Sequence, residues 1–310
     1  MMTNKSQLFS GVESELVTLR DVIRFGVSQF NAHDLFFGHG SGDALEEATN
    51  LALFSLNLPF DLPGHFMESR LTREERVAIL QLMSRRISER IPAAYIIQRA
   101  WFAGLEFVVD ERVLIPRSPI AELIEQRFEP WLTDHEPHTI LDLCTGSGCI
   151  AIACAVVLPQ AQVDAVDISA DALSVAAINC ERQGVQGRVE LIKSDLFAGL
   201  AGRRYDLIVS NPPYVDAQEM QALPREYHHE PALGLASGER GLDHPLRILR
   251  EAKQFLNPYG VLILEVGNSE AALVAHCPGV PFVWLDFTRG GGGVLLITRE
   301  QLEEYHHAFV

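Results

Sequence analysis

From Thr139 onward, short apolar runs alternate with stretches patterned for helices, and this alternation constrains the fold more than any other feature of the chain. The strand candidates are Thr139–Cys144, Gln162–Asp167, Arg188–Lys193, Tyr205–Ser210, Val261–Val266, Phe282–Phe287 and Val294–Thr298. Helical patterns fill most of the gaps, for example Cys149–Leu158, Ala170–Gln183 and Pro245–Leu256. Strands that are apolar throughout need cover on both faces. The pattern therefore predicts an α/β fold, a parallel sheet between helical layers. Only Thr288 to Gly293, with four consecutive glycines, separates the last two runs. No crossover helix fits in that gap, so the final pair is predicted to be antiparallel.

The first third reads differently. Leu16, Leu19, Ile23, Val27 and Phe30 recur at three- and four-residue steps, which places them on one helix face. The glycine-rich Gly38-His39-Gly40-Ser41-Gly42 is a loop, and Ala44 to Leu56 is patterned as a second helix. Thr72 with Glu75 has the form of a capping box ahead of Val77, Leu80 and Ile87, and Pro92 closes that helix. Trp101 to Ile115 is rich in aromatic and β-branched residues and carries Asp110-Glu111 in its middle, which predicts a β-hairpin turning there. A helix is predicted to start at Ile120 and run to Phe128. The expected organisation is a helical domain over 1–95, a hairpin linker over 96–118 and an α/β domain over 119–310.

Composition narrows the function classes. The 310 residues include 41 acidic and 25 basic side chains, a formal charge of −16, with 47% hydrophobic and 21% charged. These fractions exclude a disordered chain, a collagen or a coiled-coil rod. The acidic excess argues against direct DNA binding, which needs a dense Lys/Arg surface. The five cysteines, Cys144, Cys149, Cys154, Cys180 and Cys277, form no C-x-x-C pair. Reduced, mostly buried thiols and no metal site are expected. The opening MMTNKSQLFSG has no apolar core, and the longest apolar run, Ile150 to Leu158, is about half a membrane span. A cytoplasmic location with no membrane partner is expected.

The first strand of the α/β region leads into Asp142-Leu143-Cys144-Thr145-Gly146-Ser147-Gly148 and then a helix. Glycines at such a turn let a ligand approach the backbone, and amides at the helix start can face it. Asp167 ends the second strand, 21 residues after Gly146, where a carboxylate can accept from both ribose hydroxyls of an adenosine. NAD and S-adenosylmethionine both fit this reading. Asp142 favours the second, because a carboxylate in the loop repels a pyrophosphate and attracts a cationic methionine moiety.

Asn211-Pro212-Pro213-Tyr214 follows the fourth strand. Two prolines stiffen the loop and leave carbonyls exposed. The Asn211 side-chain oxygen and the Pro212 carbonyl can accept the two hydrogens of a planar NH2 group, and the Tyr214 ring can stack on it. An amide nitrogen is a poor nucleophile because its lone pair is delocalised. Two acceptors on its hydrogens raise its electron density and aim it at a methyl carbon.

These residues resemble the S-adenosylmethionine-dependent methyltransferases with a seven-stranded Rossmann-like domain, and within them the protein-glutamine N5-methyltransferase branch. The resemblance covers nearly the whole chain. It includes Pro92-Ala93-Ala94-Tyr95-Ile96, Val113-Leu114-Ile115-Pro116-Arg117, the Asp142–Gly148 loop, Asn211–Tyr214, and His229-Glu230-Pro231 with Gly241-Leu242. It implies an N-terminal helical substrate-recognition domain, S-adenosylmethionine as cofactor and glutamine side-chain amides as substrate. Trp101 to Gly104, Val109 to Val113, Ser118-Pro119-Ile120, Gly38-His39-Gly40 and Arg289–Val294 look like the enzymes acting on the third protein of the large ribosomal subunit. Release-factor glutamine methylation and nucleic-acid adenine N6-methylation remain the alternatives, with an NAD-binding or inactive module behind them. By position, the resemblance implies cofactor contacts from Asp142, Leu143, Cys144, Thr145, Gly146, Gly148, Asp167, Asp195, Leu196 and Asn211. It implies catalytic roles for Asn211, Pro212 and Tyr214, and a substrate seat from these with Pro213. Arg117, His229 and Glu230 are further candidates on the substrate side. Cys144 stands where the family commonly has glycine, so its position is expected not to require positive φ. A free ribosomal protein is basic and an acidic enzyme attracts it, which implies action before or during subunit assembly.

Overall fold

The computed structural model describes residues 8–132 and 136–310. The chain divides into two units, Met1–Arg99 with Pro224–His229, and Ala100–Leu223 with Glu230–Val310.

In the first unit, helices α1 (Leu19–Ala32), α2 (Ala44–Ser55), α3 (Arg73–Glu89) and α4 (Ala93–Ile97) enclose one apolar core. Capping boxes start α1 at Thr18 with Asp21 and α3 at Thr72 with Glu75. Each box satisfies two amides that a helix start otherwise leaves unpaired. A Cβ added to Gly26 would lie 2.6 Å from Met83 Cε and 3.2 Å from Ala48 Cβ, so α1 meets its two neighbours where it has no side chain.

A charged network lies inside this helical core. Arg86 is fully buried. Its Nε donates to Glu47 Oε2 at 2.7 Å, Nη1 to Glu226 Oε1 at 3.1 Å and Nη2 to the Phe36 carbonyl at 2.8 Å. Arg90 places a second cation 3.2 Å from Glu226 Oε1. Two guanidiniums against two carboxylates leave little net charge, and that balance offsets their desolvation. Glu226 belongs to the Pro224–His229 segment, shortly after Tyr214 in sequence. The chain thus returns to the helical unit one short helix after the Asn-Pro-Pro-Tyr loop.

The second unit holds a seven-stranded sheet of β3 (Thr139–Leu143), β4 (Gln162–Asp167), β5 (Val189–Lys193), β6 (Tyr205–Ser210), β7 (Leu256–Glu265), β8 (Val283–Trp284) and β9 (Val294–Thr298). Their order is β5-β4-β3-β6-β7-β9-β8. The first five are mutually parallel, and β9 runs antiparallel between β7 and β8. Ahead of the sheet are a hairpin, β1 (Arg99–Phe102) and β2 (Leu105–Val108), and helix α5 (Ile120–Glu125). Helices α6 (Cys149–Val157), α7 (Ala170–Gln183), α8 (Ala217–Ala222), α9 (Asp243–Glu251), α10 (Glu270–His276) and α11 (Arg299–Glu304) complete it. Two apolar cores, one per sheet face, bury the strands from both sides. Chain direction across the sheet reverses between β3 and β6, and in such sheets ligands bind at the carboxyl ends of the strands beside that point.

Several elements depart from their sequence expectation. The hairpin turns at Ala103-Gly104, with φ of 48° and 74°, and not at Asp110-Glu111. Two consecutive left-handed residues match the twist of paired strands. Asp110 instead turns the segment after the hairpin, its carbonyl accepting from Val113 N, and its carboxylate grips Arg112. Helix α5 stops at Glu125, because Arg127 and Phe128 have φ of 55° and 61°. The helix expected over Pro245–Leu256 ends at Glu251, because Leu256 pairs with Tyr205 and starts β7. Strand β8 is only two residues long. Leu285 N still donates to the Val294 carbonyl, and the chain then leaves the sheet edge.

Candidate active site

The parallel strands deliver the candidate residues to one edge. In the β3–β6 register Asp142 lies opposite Val209 and Leu143 opposite Ser210, so the glycine loop and Asn211 leave the sheet side by side. Ser210 Oγ donates to the Leu143 carbonyl at 2.9 Å and ties the two strand ends together. On the other side of β3, Thr145 N donates to the Val166 carbonyl of β4 at 2.9 Å.

The loop reverses sharply, with left-handed φ at Cys144 (62°), Gly146 (56°) and Gly148 (80°). This corrects the expectation that a Cβ at 144 excludes positive φ. A cysteine holds that conformation at a local cost of roughly 1–3 kcal/mol, and packing around it offsets the strain. A Cβ on Gly146 would meet nothing within 4 Å, so the backbone there is open to a ligand. At Gly148 a Cβ would come within 3.0 Å of Ile152 Cδ1 and 3.1 Å of Ala176 Cβ, so this glycine serves helix packing.

Asp142 is fully buried at the centre of the loop. Its Oδ2 accepts from Thr145 Oγ1 at 2.5 Å and from Ala151 N, in the first turn of α6, at 3.1 Å. Its Oδ1 is buried and has no partner among the described residues. Burial pushes its carboxyl up to about 7. An unpaired oxygen on a buried carboxyl is costly, and a cationic or hydrogen-bonding ligand group relieves that cost. Asp167 Oδ2 accepts from Gly146 N at 2.9 Å and Oδ1 from Ser169 N at 2.9 Å, so both oxygens are held in place at the end of β4. Burial raises its carboxyl as well. The orphaned Asp142 oxygen, the open Gly146 backbone and the fixed Asp167 carboxylate fit a ligand with a cationic end and a ribose.

Asp195 and Leu196 follow β5. Leu196 has φ 46° and is buried in the core, whereas Asp195 is half exposed and pairs with Arg247 at 3.0 Å. The cysteines differ from reactive thiols. Burial pushes Cys149 up to about 12, raises Cys144 further, and lifts Cys180 and Cys277 to about 11. Among the described residues no group of three His, Cys, Asp or Glu side chains could hold a metal ion.

Pro212 and Pro213 are buried, while Asn211 and Tyr214 are partly exposed. The loop is braced beyond Tyr214, where Val215 N donates to the Leu235 carbonyl at 2.8 Å and Ser237 N to the Val215 carbonyl at 2.9 Å. Of the further substrate-side candidates, Arg117 and Glu230 form a two-pronged pair at 2.6 and 2.7 Å, and Glu230 also accepts from Ile115 N. His229 donates to the Glu89 carbonyl within the helical unit at 2.9 Å. All three thus have partners of their own within the protein.

Two residues of this site escaped the sequence reading. Asn179 is fully buried on α7. Its Nδ2 donates to the Ser147 carbonyl at 2.9 Å and the Val108 carbonyl at 3.0 Å, and its Oδ1 accepts from Val108 N at 2.7 Å, so it clamps the glycine loop to the hairpin. Glu265 is buried at the end of β7 and touches Tyr214. Each carried a signal: a polar residue on the buried stripe of a helix, and a lone carboxylate inside the apolar run Val261–Val266.

The methyltransferase small domain family model matches residues 127–227, which span the glycine loop and the Asn-Pro-Pro-Tyr segment. The chain is 50% identical over 297 residues to a ribosomal protein uL3 glutamine methyltransferase from Francisella tularensis subsp. tularensis, covering 96% of this chain and 95% of that one. It is 51% identical over 296 residues to a protein of the same name from Neisseria gonorrhoeae, covering 95% and 99%. The chain belongs to the ribosomal protein uL3 glutamine methyltransferase family. As a member of it, the protein is a methyltransferase, and S-adenosylmethionine is its methyl donor. Among solved structures it is similar to a methyltransferase from Pyrococcus furiosus, at 20% identity over 63% of this chain and 89% of that one, with a TM-score of 0.45. The uL3 glutamine methyltransferase relatives cover both units described above, from the helical bundle to β9.

Proposed function

We propose that this protein methylates the side-chain amide nitrogen of a glutamine in ribosomal protein uL3, with Asn211, Pro212 and Tyr214 as the catalytic residues. The observation that carries the chemistry is the Asn-Pro-Pro-Tyr loop leaving β6 beside the glycine loop of β3. The choice of uL3 rests on the two relatives that bear that name at about half identity over nearly full length.

Bound at the β3 and β4 ends, S-adenosylmethionine supplies an electrophilic methyl carbon on a sulfonium. Asp142 lies where it can face the cationic methionine part, and Asp167 where it can accept from the ribose. Leu143, Cys144, Thr145, Gly146 and Gly148 form the backbone wall, with Asp195 and Leu196 at the adenine side. Asn211 Oδ1 and the Pro212 carbonyl accept the two hydrogens of the glutamine NH2, Pro213 stiffens the turn and the Tyr214 ring covers the flat amide. These acceptors stabilise the nitrogen as positive charge develops on it, so they act on the transition state more than on the ground state. The displaced thioether is neutral, and the proton on nitrogen leaves to solvent.

The charge of −16 steers a basic, unassembled ribosomal protein toward the enzyme and repels rRNA, which supports action before or during assembly and no DNA binding. No helix among the described residues is long and apolar enough to cross a membrane, consistent with work in the cytoplasm. Incubation with tritiated S-adenosylmethionine, free uL3, assembled large subunits and a release factor tests the reading. Label on a glutamine of free uL3, with little on the other two, is expected. Label on the release factor alone would refute the substrate assignment.

A further inference from the structure

We infer that Glu265 is a positioning residue for the methyl transfer, holding the Tyr214 ring at a fixed angle over the substrate amide. The inference rests on the proposed role of Tyr214 and adds to it a group outside the Asn-Pro-Pro-Tyr loop. Tyr214 is caged at three points, all within the α/β unit. Its hydroxyl donates to Glu265 Oε1 at 3.0 Å. Its carbonyl accepts from Ser269 Oγ at 2.8 Å. Its ring lies against Gly267, where an added Cβ would overlap Cε2, and a Cβ added at Gly241 would overlap its carbonyl oxygen. Any side chain at 267 or 241 would displace the ring or its backbone.

Glu265 is the polar centre of this cage. Its second oxygen, Oε2, accepts from Ser118 Oγ at 2.5 Å. Ser118 Oγ in turn accepts from Ile120 N at 3.2 Å at the start of α5, which directs the Ser118 proton toward Glu265. Both hydroxyls therefore donate, and only a carboxylate accepts from both at once. A glutamine there offers one oxygen and two N–H donors, so one hydroxyl loses its acceptor. Burial raises Glu265, while both hydroxyls and the nearby Arg117 charge counter that rise. The carboxylate is thus kept at an energetic cost, for a hydrogen bond that fixes a ring the substrate must meet. A stacking wall that can swing does not select the productive angle of the amide, and a misplacement of about 1 Å costs on the order of a hundredfold in rate.

The test compares wild type, Glu265→Gln, Tyr214→Phe and the double variant, with free uL3 as methyl acceptor and S-adenosylhomocysteine binding by calorimetry. Each single variant is expected to lower kcat about 10- to 100-fold while S-adenosylhomocysteine affinity stays within about twofold. The double variant is expected to be no slower than the slower single one, because both changes break the same bond. Unchanged kcat in the folded single variants, or losses that multiply in the double variant, overturns the inference. If Glu265→Gln does not fold, Tyr214→Phe alone decides: a kcat loss at constant S-adenosylhomocysteine affinity supports the inference, and an unchanged kcat overturns it. Failure of wild type to label uL3 would instead reject the functional reading on which the inference rests.

Discussion

Titration of the buried loop carboxylate offers a quantitative test of cofactor binding. Burial lifts Asp142 from its ordinary 3.8 to about 7, and its Oδ1 has no partner among the described residues. A ligand with a cationic amino-acid end binds the ionised carboxylate and holds it ionised. The ligand-free protein must therefore lose a proton to bind whenever the pH is below about 7. At pH 5 about 1% of the free protein carries that charge, so affinity for S-adenosylhomocysteine is about 100-fold weaker than above pH 8, some 2.7 kcal/mol. The slope is about tenfold per pH unit below 7 and flat above it. Stability shifts in the opposite sense. The folded-state carboxyl is raised, so the stability this group contributes to the ligand-free protein is full below about 4 and is lost as pH climbs toward 7. Calorimetric titration of S-adenosylhomocysteine between pH 5 and 8.5, at constant ionic strength, reads the affinity, and Asp142→Asn is the control. An Asn side-chain oxygen can still accept from Thr145 and Ala151, but it does not titrate. An affinity that stays level across this range in wild type, or the same slope in Asp142→Asn, refutes the reasoning.

Three further outcomes are expected. Asn211→Ala lowers kcat by about 100-fold or more while cofactor affinity changes less than about threefold, because in its proposed role Asn211 is an acceptor for the substrate nitrogen; methylation kinetics beside calorimetry would show the reverse split if Asn211 served the cofactor instead. Cys144→Gly stays within about 1 kcal/mol of wild type, whereas Cys144→Val costs about 2 kcal/mol or more, since φ of 62° is harder still for a β-branched residue; equal urea midpoints for the two variants contradict the left-handed assignment. Arg86→Met leaves Glu47 and Glu226 buried without their shared cation and costs about 3–5 kcal/mol at pH 7. Urea unfolding should show that loss shrinking as the pH is lowered, because burial raises the Glu47 carboxyl and it takes up a proton while Arg90 still pairs with Glu226, and a loss under about 1 kcal/mol at pH 7 would contradict the network's role.

Much of the α/β half was legible because its signals are local. Continuous apolar strands, glycines at the β3 turn and an acidic residue at the end of β4 each follow from near neighbours in sequence. Four strand candidates therefore fell within one residue of β3, β4, β5 and β6, and Val294–Thr298 matched β9. The misplaced hairpin turn shows the limit of this reading. Asp110-Glu111 looks like a turn by composition, but pairing of β1 with β2 and the clamp of Asn179 on Val108 select Ala103-Gly104. The extent of β7 shows the same limit. Asn257-Pro258-Tyr259-Gly260 lies outside the strand candidate Val261–Val266, yet the strand carries it as an irregularity between the Leu256 and Val261 pairings.

By itself the sequence determined the chain's class and which loops leave the carboxyl ends of the central strands, because periodicity and turn chemistry act over a few residues. Only the tertiary structure decided which distant groups meet. Glu265 reaches Tyr214 and Ser118, Asn179 reaches Ser147, and Glu226 returns to Arg86 across 140 positions of chain. No local pattern encodes such pairs, since each exists only because a buried polar group must find a partner once water has been excluded.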